Sequence, residues 1–169
     1  MRPSKDQYYL NIALEVAARS TCLRRSYGAI IVRDDQIVST GYNGSPRGTP
    51  NCTDLGYCIR EINKIPPGER YELCRGVHAE QNAIINVARA GVSVLNGTIY
   101  IAGVDAKEKR PLPENYLVPC RLCSRMIINA GLLEAKTPYR VFSIEELASM
   151  SDYIDTKMVG KRSQLRLSQ

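Results

Sequence analysis

Val77-His78-Ala79-Glu80-Gln81-Asn82-Ala83 decides how the rest of the chain is read. His78 is the only histidine in 169 residues. Glutamate stands two positions on, and Ala83, Ile84, Val87 and Ala88 follow at helical spacing. Downstream, Pro119-Cys120 and Cys123 set two thiols at the predicted start of another helix. An imidazole and two thiolates make three ligands for tetrahedral zinc with one position left for water, the arrangement of a hydrolytic rather than a structural site. Glu80 is too close to His78 along the chain to ligate easily beside it, but well placed to take that water's proton. A helix N-terminus favours thiolates at Cys120 and Cys123 through its free N–H groups and dipole. The plain alternative is a helix-capping histidine and two buried cysteines, which requires both halves to coincide by chance in the right order.

Working outward, the helix over 79–90 ends at Gly91, an ordinary C-terminal stop. Residues 5–20 carry Tyr9, Ile12, Ala13, Val16 and Ala17 at helical spacing, a core-facing stripe. Gly28-Ala29-Ile30-Ile31-Val32 reads as a buried strand, Asp34-Asp35 as a turn, and 36–41 as the hairpin partner. Further strands are predicted at 98–102 and 139–142, a helix at 121–130, and a short helix after the capping box Ser143-Ile144-Glu145-Glu146. Two long loops, 42–76 and 103–118, and a polar tail at about 160–169 complete the chain, read as one domain over 1–169. Strands alternating with helices, the first two strands forming a hairpin, predict an α/β fold with a mixed sheet.

Composition narrows the function. An apolar content of 44% with mean hydropathy −0.25 fits a globular domain, and no apolar run reaches the roughly 20 residues of a membrane span. The first residues lack the apolar core of a signal peptide. The expectation is a cytoplasmic protein whose six cysteines stay reduced and serve metal better than disulfides. A formal charge of +6 suits a phosphate-bearing ligand. No basic stripe interleaved with aromatics is present, which argues against a polynucleotide.

His78-x-Glu80 with Pro119-Cys120-x-x-Cys123 resembles the cytidine deaminase superfamily. Tyr42-Asn43-Gly44-Ser45-Pro46, with His78 to Ala83 and Met126-Ile127-Ile128-Asn129-Ala130-Gly131, is similar to one branch, the deoxycytidylate (dCMP) deaminases, over roughly residues 8–131. The resemblance implies a three-layer α/β/α fold with about five strands, zinc on His78, Cys120 and Cys123, and Glu80 as proton shuttle. It implies a small nucleotide substrate and a homo-oligomer, commonly a hexamer. It sets substrate contacts on Asn43, Gly44, Ser45, Ala79, Asn82 and Tyr139, with Asn43 toward the sugar and Gly44 and Ser45 near the phosphate. The plain alternatives are a polar helix residue for Asn82 and a tight turn for 42–46.

Cys22, Cys52, Cys58 and Cys74 remain after the first site is filled. Relatives of the bacterial and phage branch carry a structural zinc in this region, with a cysteine six residues before the strand glycine, as Cys22 is before Gly28. Their other ligands mix histidine and cysteine; here no histidine is spare, so a Cys₄ site is expected, with buried free thiols as the alternative. The loop 103–118 departs from the family. Its Lys107, Lys109 and Arg110 could reach a phosphate or form a solvated surface, and its Tyr116 could stack on a base. Three functions stay in play: deamination of dCMP, the same chemistry on another aminopyrimidine or a nucleic-acid base, and a non-catalytic zinc module, for which Glu80 would have no use.

Overall fold

The structure is a computed structural model that describes residues 1–151, so the expected polar tail at 160–169 lies outside the described residues. The elements run α1 Lys5–Ala17, β1 Arg25–Arg33, β2 Gln36–Tyr42, α2 Cys52–Leu55, α3 Ile59–Ile62, α4 Ala79–Ala90, β3 Thr98–Asp105, α5 Arg121–Asn129, β4 Glu134–Lys136, β5 Val141–Ser143 and α6 Ile144–Ser151.

The hairpin forms where the sequence sets it. Asp34 and Asp35 both take positive φ, 50° and 61°, the geometry that lets two residues join right-twisted strands. The five strands lie in the order β2-β1-β3-β4-β5. β1 pairs antiparallel with β2 and β3, β3 pairs parallel with β4, and β4 antiparallel with β5, so the sheet is mixed as expected.

Alternation along β1 creates two cores. Ile30 and Val32 face α1, meeting Tyr9, Leu10 and Ala13 together with Tyr100 and Ala102 of β3. Ala29 and Ile31 face the other way, toward Ala79, Ala83 and Val87 of α4, Ile127 of α5 and Leu147 of α6. The result is the three-layer α/β/α fold, in which α1 covers one face and α4, α5 and α6 the other. Burying an isoleucine such as Ile30 or Ile31 from water contributes about 1.5–3 kcal/mol.

Two glycines let helices approach the sheet. A Cβ on Gly28 would stand 1.9 Å from the Ala13 carbonyl oxygen of α1. One on Gly41 would stand 2.4 Å from the Ala79 carbonyl oxygen of α4. Polar bonds then stitch α4 to the edge strand β2. Ser39 donates to the Ala83 carbonyl at 2.7 Å, and Asn82 and Asn86 donate to the carbonyls of Tyr42 and Thr40 at 2.7 and 2.8 Å. Asparagines one turn apart thus satisfy carbonyls two residues apart on the edge strand of the described sheet.

The structure revises three expectations. The stretch 42–76 contains two single-turn helices, α2 and α3. β4 at Glu134–Lys136 was not anticipated, and the strand expected at 139–142 begins only at Val141, because Thr137 accepts the Arg140 N–H and holds a turn there. Finally, 103–118 continues β3 to Asp105 and folds back on it. Asp105 accepts the N–H groups of Lys107 and Glu108, and Leu112 N–H returns to the Gly103 carbonyl.

Candidate active site

His78 is the N-cap of α4 and Cys120 the N-cap of α5. Both have extended backbones that turn into a helix, and Gln81 accepts the His78 N–H at 3.0 Å, one half of a capping box. Two helix N-termini therefore converge on one point. Cys123 lies one turn into α5 and is completely buried. His78 Nδ1 is 3.4 Å from each sulfur, Cys120 and Cys123. Tetrahedral zinc with bonds of ~2.0 Å to nitrogen and ~2.3 Å to sulfur sets the two about 3.6 Å apart, so this donor set fits the ion.

Protons are unevenly held in this cluster. The neighbouring Cys123, against the opposing pull of burial and with help from His78, brings Cys120 down to about 4. Cys120 and burial push Cys123 far up in return. His78 is raised despite its burial, because the Cys120 sulfur and the Glu80 carboxylate favour its charged form. A thiol held low beside an imidazole whose charged form is favoured is a site where a cation can replace protons.

Glu80 is 8% exposed and lines the same cavity of about 380 Å³ as His78 and Cys120. Burial raises its pKa above the ordinary carboxylate value, against the lowering effect of His78. A carboxyl group beside a ligand set, tuned upward and facing a cavity, is equipped to accept a proton and give it back.

The other expected residues divide. Asn43, Gly44, Ser45 and Ala79 line the cavity. The Asn43 side chain is fixed to β1, accepting from Tyr27 N–H at 2.8 Å and donating to the Arg25 carbonyl at 2.9 Å, which leaves one N–H for a ligand. Gly44 exchanges backbone bonds with Val77, tying 42–46 to the residue before His78. Asn82 and Tyr139 are not in the cavity wall. The Asn82 amide is held by Tyr42, and the Tyr139 hydroxyl donates to the Leu112 carbonyl at 2.7 Å, anchoring the returning loop. Lys107, Lys109 and Arg110 also stay outside it, because the Asp105 turn carries them away; the loop contributes Asn115, Tyr116 and Val118 instead.

Cys22, Cys52, Cys58 and Cys74 all line this cavity. Arg24 N–H points to the Cys22 sulfur at 3.5 Å and Gly76 N–H to the Cys74 sulfur at 3.4 Å. Among the described residues, only His78, Cys120 and Cys123 bring three ligating atoms within 4.8 Å of one another; the four cysteines converge without closing that far.

Sequence reasoning missed Arg60 and Tyr71. Arg60 is 6% exposed, and its guanidinium donates to the carbonyls of Pro66, Glu69 and Arg70, shaping the turn that leads to Tyr71. Tyr71 meets the His78 ring edge-on, with centroids 5.1 Å apart. A lone arginine in a polar loop gives no sequence signal of burial; only the prolines and glycine at 66–68 hint at carbonyls needing a donor.

Fold and site together define an α/β/α domain with a metal-ligand set at paired helix N-termini and a buried carboxylate beside it. The chain belongs to the cytidine and deoxycytidylate deaminase zinc-binding family, whose model matches residues 3–137. It is 33% identical over 136 residues to the deoxycytidylate deaminase of Mycobacterium phage D29, covering 78% of this chain and 91% of that one. It is 34% identical over 133 residues to the deoxycytidylate deaminase of Schizosaccharomyces pombe, covering 79% of this chain but 36% of that one. The chain thus spans about a third of the length of its yeast relatives. Among solved structures it is similar to dCMP deaminase from cyanophage S-TIM5 in complex with dCMP and dUMP, with a TM-score of 0.57, 26% identity, and coverage of 81% of this chain and 82% of that one.

Proposed function

We propose that the protein hydrolytically deaminates dCMP to dUMP and ammonia, using zinc held by His78, Cys120 and Cys123. The observation that carries this is the buried Glu80 at a cavity it shares with His78 and Cys120, in a chain of this family. Relatives named deoxycytidylate deaminase, and a structural neighbour whose complex holds dCMP and dUMP, support the choice of substrate.

Zinc held there would supply Lewis acidity, lowering the pKa of a water toward about 7. The chain's own residues do the rest. Glu80 takes the proton of the attacking water, delivers it to the ring nitrogen, and then moves a proton to the departing amine. The C–O bond to the ring carbon forms first, as the ring nitrogen takes up that proton; the C–N bond breaks afterwards, when the proton left on the added hydroxyl passes through Glu80 to the departing ammonia and leaves a carbonyl. Ala79 lines the wall beside Glu80, and Asn43 offers its remaining N–H to the sugar. The walls of the cavity hold the base in line with Glu80 and limit the water around it.

An ammonia-release assay across dCMP, CMP, dCTP, deoxycytidine and cytosine tests the reading. dCMP is expected to be turned over fastest. Faster turnover of another member would reassign the substrate, and no ammonia from any of them would remove the activity.

The four remaining cysteines belong to a second part of the proposal, a structural zinc joining the start of β1 to the 42–76 stretch. All six cysteines are free of disulfides, the four residues line one cavity, and the sulfurs of Cys22 and Cys74 accept backbone N–H groups two residues on, a contact that suits thiolates. The purified protein is then expected to carry two zinc ions per chain by elemental analysis. Cys58→Ser is expected to carry one, with a clearly lower Tm and a smaller change in the chemical step. One zinc in the wild type would sink the second site. A cytoplasmic setting that keeps thiols reduced suits both sites. The homo-oligomer belongs to the same proposal, supported by exposed apolar residues such as Leu95 and Leu133.

A further inference from the structure

One aromatic ring of the returning loop enters the cavity wall, and it carries a cation. The Arg25 guanidinium carbon lies 3.8 Å from the centroid of the Tyr116 ring, a stacked contact. Both residues line the cavity. Arg25, the first residue of β1, and Arg24 just before it differ in their partners. Arg24 pairs with Glu61 at 3.5 Å. The Arg25 side chain has no carboxylate within ion-pair distance among the described residues, so the ring face is what holds it.

We propose that Tyr116 is a positioning residue that presents Arg25 to the phosphate of a nucleoside monophosphate, and that this pair sets the preference for phosphorylated over unphosphorylated ligand. The proposal rests on the deaminase reading for the rest of the ligand. Three features of the site support it.

Stacking leaves the guanidinium edge, with its planar fork of N–H donors, available to two phosphate oxygens at once. The lining of the same cavity carries two hydroxyls, Thr21 Oγ1 and Ser45 Oγ, that are buried and have no hydrogen-bond partner among the described residues. A buried hydroxyl without a partner costs about 1–3 kcal/mol, which an acceptor arriving with the ligand would relieve. Thr21 sits against Gly44, next to Ser45 in the chain: a Cβ on Gly44 would be 2.6 Å from the Thr21 hydroxyl. Orphan donors and a cation without a carboxylate partner, lining one cavity, select for an anion.

The third feature is how firmly the ring is held. Tyr116 ends a short 3₁₀ turn, Glu114–Tyr116. Leu112 and Leu117 flank that turn, each 3% exposed in the main core. Tyr139 donates to the Leu112 carbonyl at 2.7 Å. The ring therefore cannot swing out without lifting two leucines, and Arg25 inherits that rigidity.

The test is an equilibrium measurement on the zinc-loaded, full-length chain. Calorimetry compares dUMP with deoxyuridine, and so isolates the phosphate. The wild type is expected to bind dUMP at least tenfold more tightly. Arg25→Gln is expected to lose about 10- to 100-fold in dUMP affinity and nothing in deoxyuridine affinity. Tyr116→Leu, which keeps bulk but not the ring, is expected to lose about 3- to 10-fold, again only for dUMP. Tyr116→Phe is expected to match the wild type. An unchanged ratio of the two affinities in Tyr116→Leu would overturn the proposal. So would equal weakening of both ligands, because the ring would then only hold the loop, and so would a wild type that binds neither or does not prefer dUMP. Release of ammonia from dCMP together with an unchanged ratio would leave the deaminase reading standing and remove this one alone.

Discussion

Glu80→Gln is expected to lower turnover of dCMP about a thousandfold while leaving the zinc content unchanged. The substitution keeps shape and burial but removes the group that takes up and returns the proton. The expected size follows from general acid–base catalysis, whose loss typically costs 10²–10⁴-fold. The same variant is not expected to be less stable. Burial raises the pKa of Glu80 above its ordinary value, so the fold disfavours its ionised form. With metal removed by a chelator, the wild type should lose stability as pH rises from that ordinary value through the raised one; below it the carboxyl is neutral in both states and contributes nothing. The glutamine variant has no such loss, and its Tm at pH 7 should equal or exceed the wild type's. Turnover within tenfold of wild type would sink the mechanism, and loss of zinc would recast Glu80 as a ligand.

How far the sequence carries this site depends on whether local chemistry or distant contacts place each residue. His78, Glu80, Cys120 and Cys123 were readable because two helix starts fix them: spacing along the chain becomes geometry within one turn. The bounds of α4, 79–90, follow from the same cause, with a capping residue at one end and Gly91 at the other. Residues placed by long-range contacts were not readable. β4 is the three residues Glu134-Ala135-Lys136, with no apolar run; it is a strand because Thr98 to Tyr100 supply a parallel partner. Tyr139 has the composition of a substrate contact, but a carbonyl of the returning loop takes its hydroxyl. The charges at 107–110 fit either a phosphate contact or a solvated surface; Asp105 collects two N–H groups and turns them outward, away from the cavity. The aromatic residue of that loop does reach the cavity, because leucines on either side of it belong in the core.

Gly41→Ala is expected to lower both stability and activity, and the reason ties the sheet to the chemistry. Gly41 is buried in β2 beneath the first turns of α4. An added Cβ would stand 2.4 Å from the Ala79 carbonyl oxygen and 2.3 Å from the Ala83 nitrogen. Both are backbone atoms, so no side chain can rotate away; the helix itself must retreat by about 1 Å to restore van der Waals contact. Overpacking of this kind typically costs about 1–3 kcal/mol, which calorimetry reads as a fall of several degrees in Tm. The retreat also stretches the bonds from Ser39, Asn82 and Asn86 that hold α4 to β2. His78 and Glu80 move with the start of α4, whereas Cys120 and Cys123 stay with α5. Misplacement by 1 Å can cost about 10²-fold in rate, and that is the loss expected in kcat. Gly91→Ala is the control at the far end of the same helix. Gly91 has a φ of +67° and open space around it, so alanine there strains the backbone and lowers Tm without touching the site. If Gly41→Ala lost stability like the control but kept its activity, the close approach of β2 to α4 would matter only for folding. A loss of kcat in Gly41→Ala alone would mean that a missing side chain on the sheet sets the distance between the two halves of the zinc site.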